Sequence, residues 1–308
     1  MKVYTNIQEF KSAKNVVVTI GTFDGVHLGH KVIINQLKKA AQELGGESVL
    51  LTFFPHPRMV VFPDDNELKL LNTIEERKEL LEKAGIDHLI IHPFSKAFSR
   101  LTALEFVRDI LVNRLNVKKV VIGYDHHFGR NREGSFEDLV EFGELYGFSV
   151  EEIPAQDIQQ INVSSTKIRT SLLAGEIHAA TQFLGYPYFI NGTVVKGDKI
   201  GREIGFPTAN IKPDETYKLI PKNGVYAVKV VVNKNEYDGM LNIGIRPTLK
   251  GKNETIEVNI FDFDEEIYGQ QIQIKFYERI RDEQPFEDLN ELKNQLSIDK
   301  SKTIQIFN

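Results

Sequence analysis

The chain has 308 residues, 41% apolar and 26% charged, with a formal net charge of −5 and no cysteine. That length and balance suit a soluble protein of two domains with full-sized cores. The composition excludes disulfides, thiolate catalysis and cysteine-based metal sites, and it supplies no global basic field for nucleic acid or anionic lipid. The N-terminus, Met1-Lys2-Val3-Tyr4, has no signal-peptide character, and no apolar run approaches the roughly 18 residues of a membrane span. The expected localisation is cytoplasmic, and the expected partners are small molecules, with no nucleic acid, no membrane and at most a weak homo-oligomer.

The first apolar run, 16–20, reads as a buried strand. Directly behind it stands Gly21-Thr22-Phe23-Asp24-Gly25-Val26-His27-Leu28-Gly29-His30. Val32, Ile33, Leu37, Ala40, Ala41 and Leu44 then recur at helical spacing, which predicts a helix over 29–44. Two histidines three residues apart therefore sit where a strand hands over to a helix. A helix start offers free backbone N–H groups and a positive dipole end, both suited to phosphate. Glycines let the backbone approach a ligand, and His27 and His30 can donate to charge that develops as a phosphoanhydride breaks.

Further strands are predicted over 48–53, 88–91, 117–122 and 149–153, alternating with helices over 73–84, 103–115 and 136–146. Short apolar strands spaced by amphipathic helices predict a Rossmann-like parallel sheet covered on both faces. Ligands of such sheets bind beyond the carboxyl ends of the strands. Three polar loops follow strand ends. The first is the decapeptide. The second is Pro55-His56-Pro57, whose prolines restrict the placement of His56. The third, 123–134, combines Asp125, Phe128, Arg130 and Arg132, with an aromatic for a flat ring and guanidinium groups for phosphate. Its adjacent His126 and His127 do not readily converge on one metal ion. Two helical pieces follow, 164–173 and 176–184; Ser164 or Ser165 would cap the first, and Thr166 and Arg169 would face a phosphate. A Gly-Pro break at 185–187 sets the expected boundary between domains 1–184 and 185–308.

These four segments in this order resemble the adenylyltransferase module of the prokaryotic bifunctional riboflavin kinase/FAD synthetase family. The resemblance implies ATP as co-substrate. It assigns Gly21, Thr22, Phe23, His27, Gly29, His30, Ser165, Thr166 and Arg169 to ATP and its pyrophosphate, with His27, His30 and Arg169 as catalytic residues. It puts His56, Asp125 and Phe128 near FMN. The FMN phosphate is already an anion, so alignment and neutralisation suffice and no general base is expected in this domain.

From Tyr188 on, period-two runs broken by turn residues (190–196, 224–232, 237–243, 255–261 and 271–281) predict an antiparallel barrel or sandwich, closed by a helix over 286–296. Gly197, Arg202 and Gly205 lead into Pro207-Thr208-Ala209-Asn210. On an extended segment, Thr208 and Asn210 point the same way and offer hard oxygens to Mg²⁺. This is similar to the P-T-A-N motif of riboflavin kinases, and it implies the antiparallel barrel of that domain. Asn242 and Glu257 stand in two later segments that agree with the same family. The resemblance makes Glu257 the base for a hydroxyl nucleophile, places Gly197, Arg202, Gly205, Pro207 and Asn242 about the substrates, and makes Arg281 and Phe286 part of a flavin-side flap. Asn259 stands where many relatives carry histidine.

The function so implied is twofold: phosphorylation of riboflavin to FMN, then adenylylation of FMN to FAD, both with Mg²⁺ and ATP. The rivals are retention of one activity, a nucleotidylyltransferase for another phosphate substrate, and a non-catalytic flavin-binding regulator.

Overall fold

Apolar strands such as Val17–Ile20 are buried on both faces and need helices above and below them, and the computed structural model of the chain supplies both layers. It describes residues 1–64, 68–154, 163–197, 200–248 and 251–308. The chain divides into two compact units, Met1–Ser164 and Ser165–Asn308.

The first unit is a six-stranded sheet: β1 (Lys2–Tyr4), β2 (Val17–Ile20), β3 (Ser48–Phe54), β4 (His88–Pro93), β5 (Lys119–Gly123) and β6 (Ser149–Ile153). Every pairing is parallel, in the order β1-β4-β3-β2-β5-β6. The helices are α1 (Leu28–Glu43), α2 (Pro57–Val61), α3 (Ile74–Ala84), α4 (Ala103–Glu105, continued by wide turns over Phe106–Val112) and α5 (Phe136–Tyr146). Strand alternation splits the core in two. Val18, Ile20 and Val120 pack with Phe106 and Leu139 on one face. Val17, Leu50, Leu89 and Val121 pack with Leu37 and Leu81 on the other. Thr73 and Glu76 close a capping box on α3, and Gly85 ends it at φ 79°.

The second unit opens with α6 (Ser165–Ala174) and α7 (Ile177–Leu184). Six strands follow: β7 (Phe189–Val195), β8 (Ala209–Pro213), β9 (Gly224–Val232), β10 (Asn235–Thr248), β11 (Gly251–Ile260) and β12 (Gln271–Arg281), with a short α8 (Ile200–Glu203) after β7 and a long α9 (Leu289–Phe307) at the end. The strands close antiparallel in the order β10-β11-β8-β7-β12-β9, a barrel with no free edge.

Several elements differ from the sequence expectation. β1 is too short to carry a period, and the Pro-His-Pro loop contains α2, with Pro57 at its first turn. The closing helix begins three residues later than expected because Asp288 caps it, accepting from the N–H groups of Asn290 and Glu291. It then runs to Phe307 because no proline or glycine interrupts it, and Phe286 lies ahead of it. The packing division also falls one helical hairpin before the Gly-Pro break. The α6–α7 hairpin joins the barrel: Lys222 N–H donates to the Leu172 carbonyl at 3.0 Å, and Gly175 lies so close to the Arg279 side chain that a Cβ would clash.

Candidate active sites

The loops after β3, β2 and β5 are neighbours at the carboxyl edge of the first sheet, because those three strands are adjacent with β2 in the middle. Gly21, Thr22, Phe23, His27, Gly29 and His30 all lie at the β2–α1 junction. His27 is the N-cap of α1, and its Nδ1 accepts the His30 backbone N–H at 3.3 Å. A neutral ring that accepts at Nδ1 carries its proton on Nε2, so His27 presents a donor. The His27 and His30 rings stack at 3.6 Å with a 14° interplanar angle, and Phe23 lies 4.9 Å from His30. His30 keeps some surface, yet its Nδ1 is enclosed without a hydrogen-bond partner among the described residues. Its pKa lies well below the ordinary histidine value, first through desolvation and then through the nearby charges of His27 and Arg77. His30 is therefore neutral at pH 7, so the stacked rings are not two cations. Val163, near the end of this unit, lies against Gly29, where a Cβ would come within 3.2 Å of its side chain.

His56 caps α2, its Nδ1 accepting from Arg58 N–H at 3.2 Å. Asp125 is exposed on the loop after β5. Phe128 is different: its ring is buried, 5.7 Å from Phe106, and belongs to the core of the sheet. The neighbouring His126 has an enclosed Nε2 with no partner among the described residues. Burial lowers its pKa to about 4, against the opposing pull of Asp125. This has a consequence for stability. An unfolded histidine titrates near 6.5, so below that pH the unfolded chain takes the proton first and the folded state loses ground. The loss should accumulate between pH 6.5 and about 4, reaching about 3 kcal/mol at most. Urea unfolding of the first unit at pH 7 and pH 5 should show this acid sensitivity, and His126→Asn should reduce it. An unchanged pH slope in the variant would remove His126 as its source.

Ser165, Thr166 and Arg169 lie on α6, at the start of the second unit. In the barrel, cross-strand register builds a polar row. Asn242 of β10 pairs with Glu257 of β11, and Glu257 pairs with Asn210 of β8. Directly opposed residues point to one face, so the three side chains stand together. Asn259, two residues along β11, donates its Nδ2–H to the Pro207 carbonyl at 2.6 Å and so ties β11 to the segment that carries Thr208. A Cβ on Gly197 would strike the Asn210 amide, which accounts for glycine there, and Gly205 adopts φ 85°.

One cavity borders this row, and a second lies nearby and shares Thr208 with it. The larger, about 260 Å³, is walled by Ile204, Phe206, Met240, Phe286 and Leu292, with Glu257 and Asn242 at its polar side. The smaller, about 90 Å³, is lined by Val194, Arg202, Pro207 and Asp264. Thr208 lines both. An apolar chamber beside a carboxylate suits a flat aromatic substrate with a hydroxyl tail. Arg281 and Phe286 both line the larger cavity, but the donors of Arg281 are engaged. Its Nε and Nη2 meet the fully buried Asp299 at 2.7–3.0 Å, its Nη1 donates to the Asp282 carbonyl, and its guanidinium lies 5.8 Å from the Phe286 ring.

Sequence reasoning missed Asp299, Glu283 and Arg77. Asp299 and Glu283 gave no local signal. Arg77 did give one: with Ile74, Leu81 and Ala84 it falls on the apolar face of α3, where a charge needs a buried partner.

The FAD synthetase family matches residues 9–167, and the riboflavin kinase family matches residues 184–307. The chain is 42% identical over 294 residues to the bifunctional riboflavin kinase/FMN adenylyltransferase of Listeria monocytogenes, covering 95% of this chain and 93% of that one. The protein of the same description from Bacillus subtilis is 39% identical (94% and 92% covered), and that from Escherichia coli K12 is 35% identical (100% and 98%). A crystal structure described as a macrolide-efflux protein from Streptococcus pneumoniae superposes with a TM-score of 0.88 at 32% identity, covering 98% and 97% of the two chains. Among the described residues of this chain, no helix is long and apolar enough to cross a membrane.

Proposed function

The chain belongs to the bifunctional riboflavin kinase/FMN adenylyltransferase family, and from that premise we propose which of its residues carry the two reactions. Its activities are the ATP-dependent phosphorylation of riboflavin to FMN and the adenylylation of FMN to FAD. Riboflavin, FMN, FAD and ATP are its substrates and products.

In the kinase reaction the nucleophile is a ribityl hydroxyl, a very weak acid. Glu257 accepts its proton as the oxygen attacks the γ-phosphorus of ATP, and ADP leaves. The observation that carries this assignment is the row Asn242–Glu257–Asn210, with Asn242 and Glu257 on the wall of a largely apolar chamber. The flavin ring occupies the apolar chamber, and the nucleotide lies on the side of Arg202. Thr208 and Asn210 are neutral oxygen donors two residues apart, and Asn259 holds the carbonyl just before Thr208. That donor set fits Mg²⁺, which takes one or two protein oxygens and leaves the rest of its shell to water and phosphate. When bound, the ion would neutralise phosphate charge during transfer.

In the adenylyl transfer the FMN phosphate attacks the α-phosphorus of ATP, and pyrophosphate departs. No proton need be removed, so the residues bind and align. His27 donates from Nε2 to the phosphate oxygens, His30 stacks on it, and the N–H groups at the start of α1 complete the anion site. Thr166 and Arg169 serve the leaving pyrophosphate, and Asp125 and His56 serve FMN. Phe128 serves by packing the loop rather than by stacking on flavin, since its ring is in the core. Dependence on ATP sets the proposed working compartment in the cytoplasm, with small molecules as partners and no more than weak self-association.

The test is a time course of the full chain with riboflavin, ATP and Mg²⁺, with the flavins separated by chromatography. FMN should appear first and FAD should follow. FMN without FAD would leave a kinase only. No product from riboflavin or from added FMN would favour the non-catalytic flavin-binding reading.

A further inference from the structure

The turn that presents His27 is strained. Phe23 has φ 49°, Gly25 has φ 91° and Val26 has φ 37°. Positive φ at a β-branched residue is rare and costly, and it persists only where the surroundings enforce it. The restraint here comes from β3, from α3 and from the segment that leads into α3. The Asp24 carboxylate, 1% exposed, accepts the backbone N–H groups of Leu71 at 2.9 Å and Asn72 at 3.2 Å. Arg77, 2% exposed, sits across from it, with Nη2 3.8 Å from Asp24 Oδ1. The other arm, Nη1, donates to Thr52 Oγ at 3.4 Å, and that hydroxyl donates to the Thr22 carbonyl at 3.1 Å. One guanidinium thus reaches both flanks of Phe23, the residue whose ring packs on His30. Its charge also helps to keep the His30 ring neutral.

We propose that Arg77 is a positioning residue for adenylyl transfer: through Asp24 and Thr52 it holds the strained turn that aims His27 and His30. It touches neither substrate. Its effect belongs in the turnover step rather than in substrate binding, because a misaimed donor weakens the transition state more than the ground state. The inference rests on the assignment of His27 and His30 to that reaction.

The test uses full-length Arg77→Met, Arg77→Lys, Thr52→Val and His27→Asn. FMN-to-FAD and riboflavin-to-FMN rates are measured on the same preparations, so the kinase reports on the integrity of the chain. Arg77→Met should lower kcat for FAD formation at least about tenfold, with KM for ATP and FMN within about threefold and the kinase unaffected. Arg77→Lys, which keeps the charge beside Asp24, should recover most of that rate. Thr52→Val cuts only the arm to Thr22 and should lower kcat by about threefold or more, so it decides the matter if Arg77→Met does not fold. Wild-type kcat in Arg77→Met or in Thr52→Val, or a loss expressed wholly in KM, would overturn the proposal. If FAD formation also survives His27→Asn, the failure lies in the assignment of the site; if His27→Asn is inactive, it lies with Arg77 alone.

Discussion

Glu257→Gln should abolish FMN formation from riboflavin, with a loss of about 10²–10⁴ in rate, while FAD formation from added FMN continues. Glutamine keeps the size and one carbonyl oxygen of glutamate, so the row with Asn242 and Asn210 keeps its geometry. It cannot take a proton from a ribityl hydroxyl at neutral pH. The two reactions differ in this single need, because a phosphate nucleophile is already ionised and a hydroxyl is not. Flavin chromatography with each substrate in turn reads both steps. Glu283, the other glutamate on the larger cavity, is the natural comparison; its Oε2 accepts from Asn223 at 3.4 Å. Glu283→Gln should cost less than about tenfold. A larger loss there than at Glu257 would move the base to Glu283.

His27→Asn should have the reciprocal effect, lowering FAD formation by about 10²–10³ with the kinase intact, so that FMN accumulates. Asparagine is chosen because His27 has two jobs. As the N-cap of α1 it accepts the His30 N–H, and asparagine is among the best N-cap residues. The helix start therefore survives while the Nε2 donor is lost. His27→Ala would add about 1 kcal/mol of lost capping and blur the reading. Equal activity in His27→Asn and the wild type would mean that the helix N-terminus alone neutralises the phosphates.

Much of the first unit was legible because its signals are local. The strand before Gly21, the helix after Gly29 and the glycines between them lie within about thirty residues of one another. Their place at the centre of the carboxyl edge follows from strand order, which the structure supplies and the alternation of elements does not. The Thr208–Asn210 pair was legible for the same reason, since an extended segment sets its own period of two. The burial of Phe128 was not legible because exposure is not local. An aromatic after a strand looks available in sequence, but Phe106, contributed by another element, claims its ring. Arg281 lines the larger cavity with Phe286, but its pairing with Asp299, eighteen residues further on and buried on a helix that was expected to end sooner, had no local signal.

By itself the sequence determined the strand–helix alternation of the first unit, the glycine-rich strand-to-helix junction that carries His27 and His30, and the period-two strands of the second unit. Each of these follows from residue type and spacing along a short stretch of chain. Tertiary structure alone decided that Glu257 stands between Asn242 and Asn210, that Thr208 lines a larger and a smaller cavity, and that an arginine on α3 reaches the turn before His27. Those facts depend on strand register and burial, which are settled by contacts between segments far apart in sequence, and no local pattern carries them.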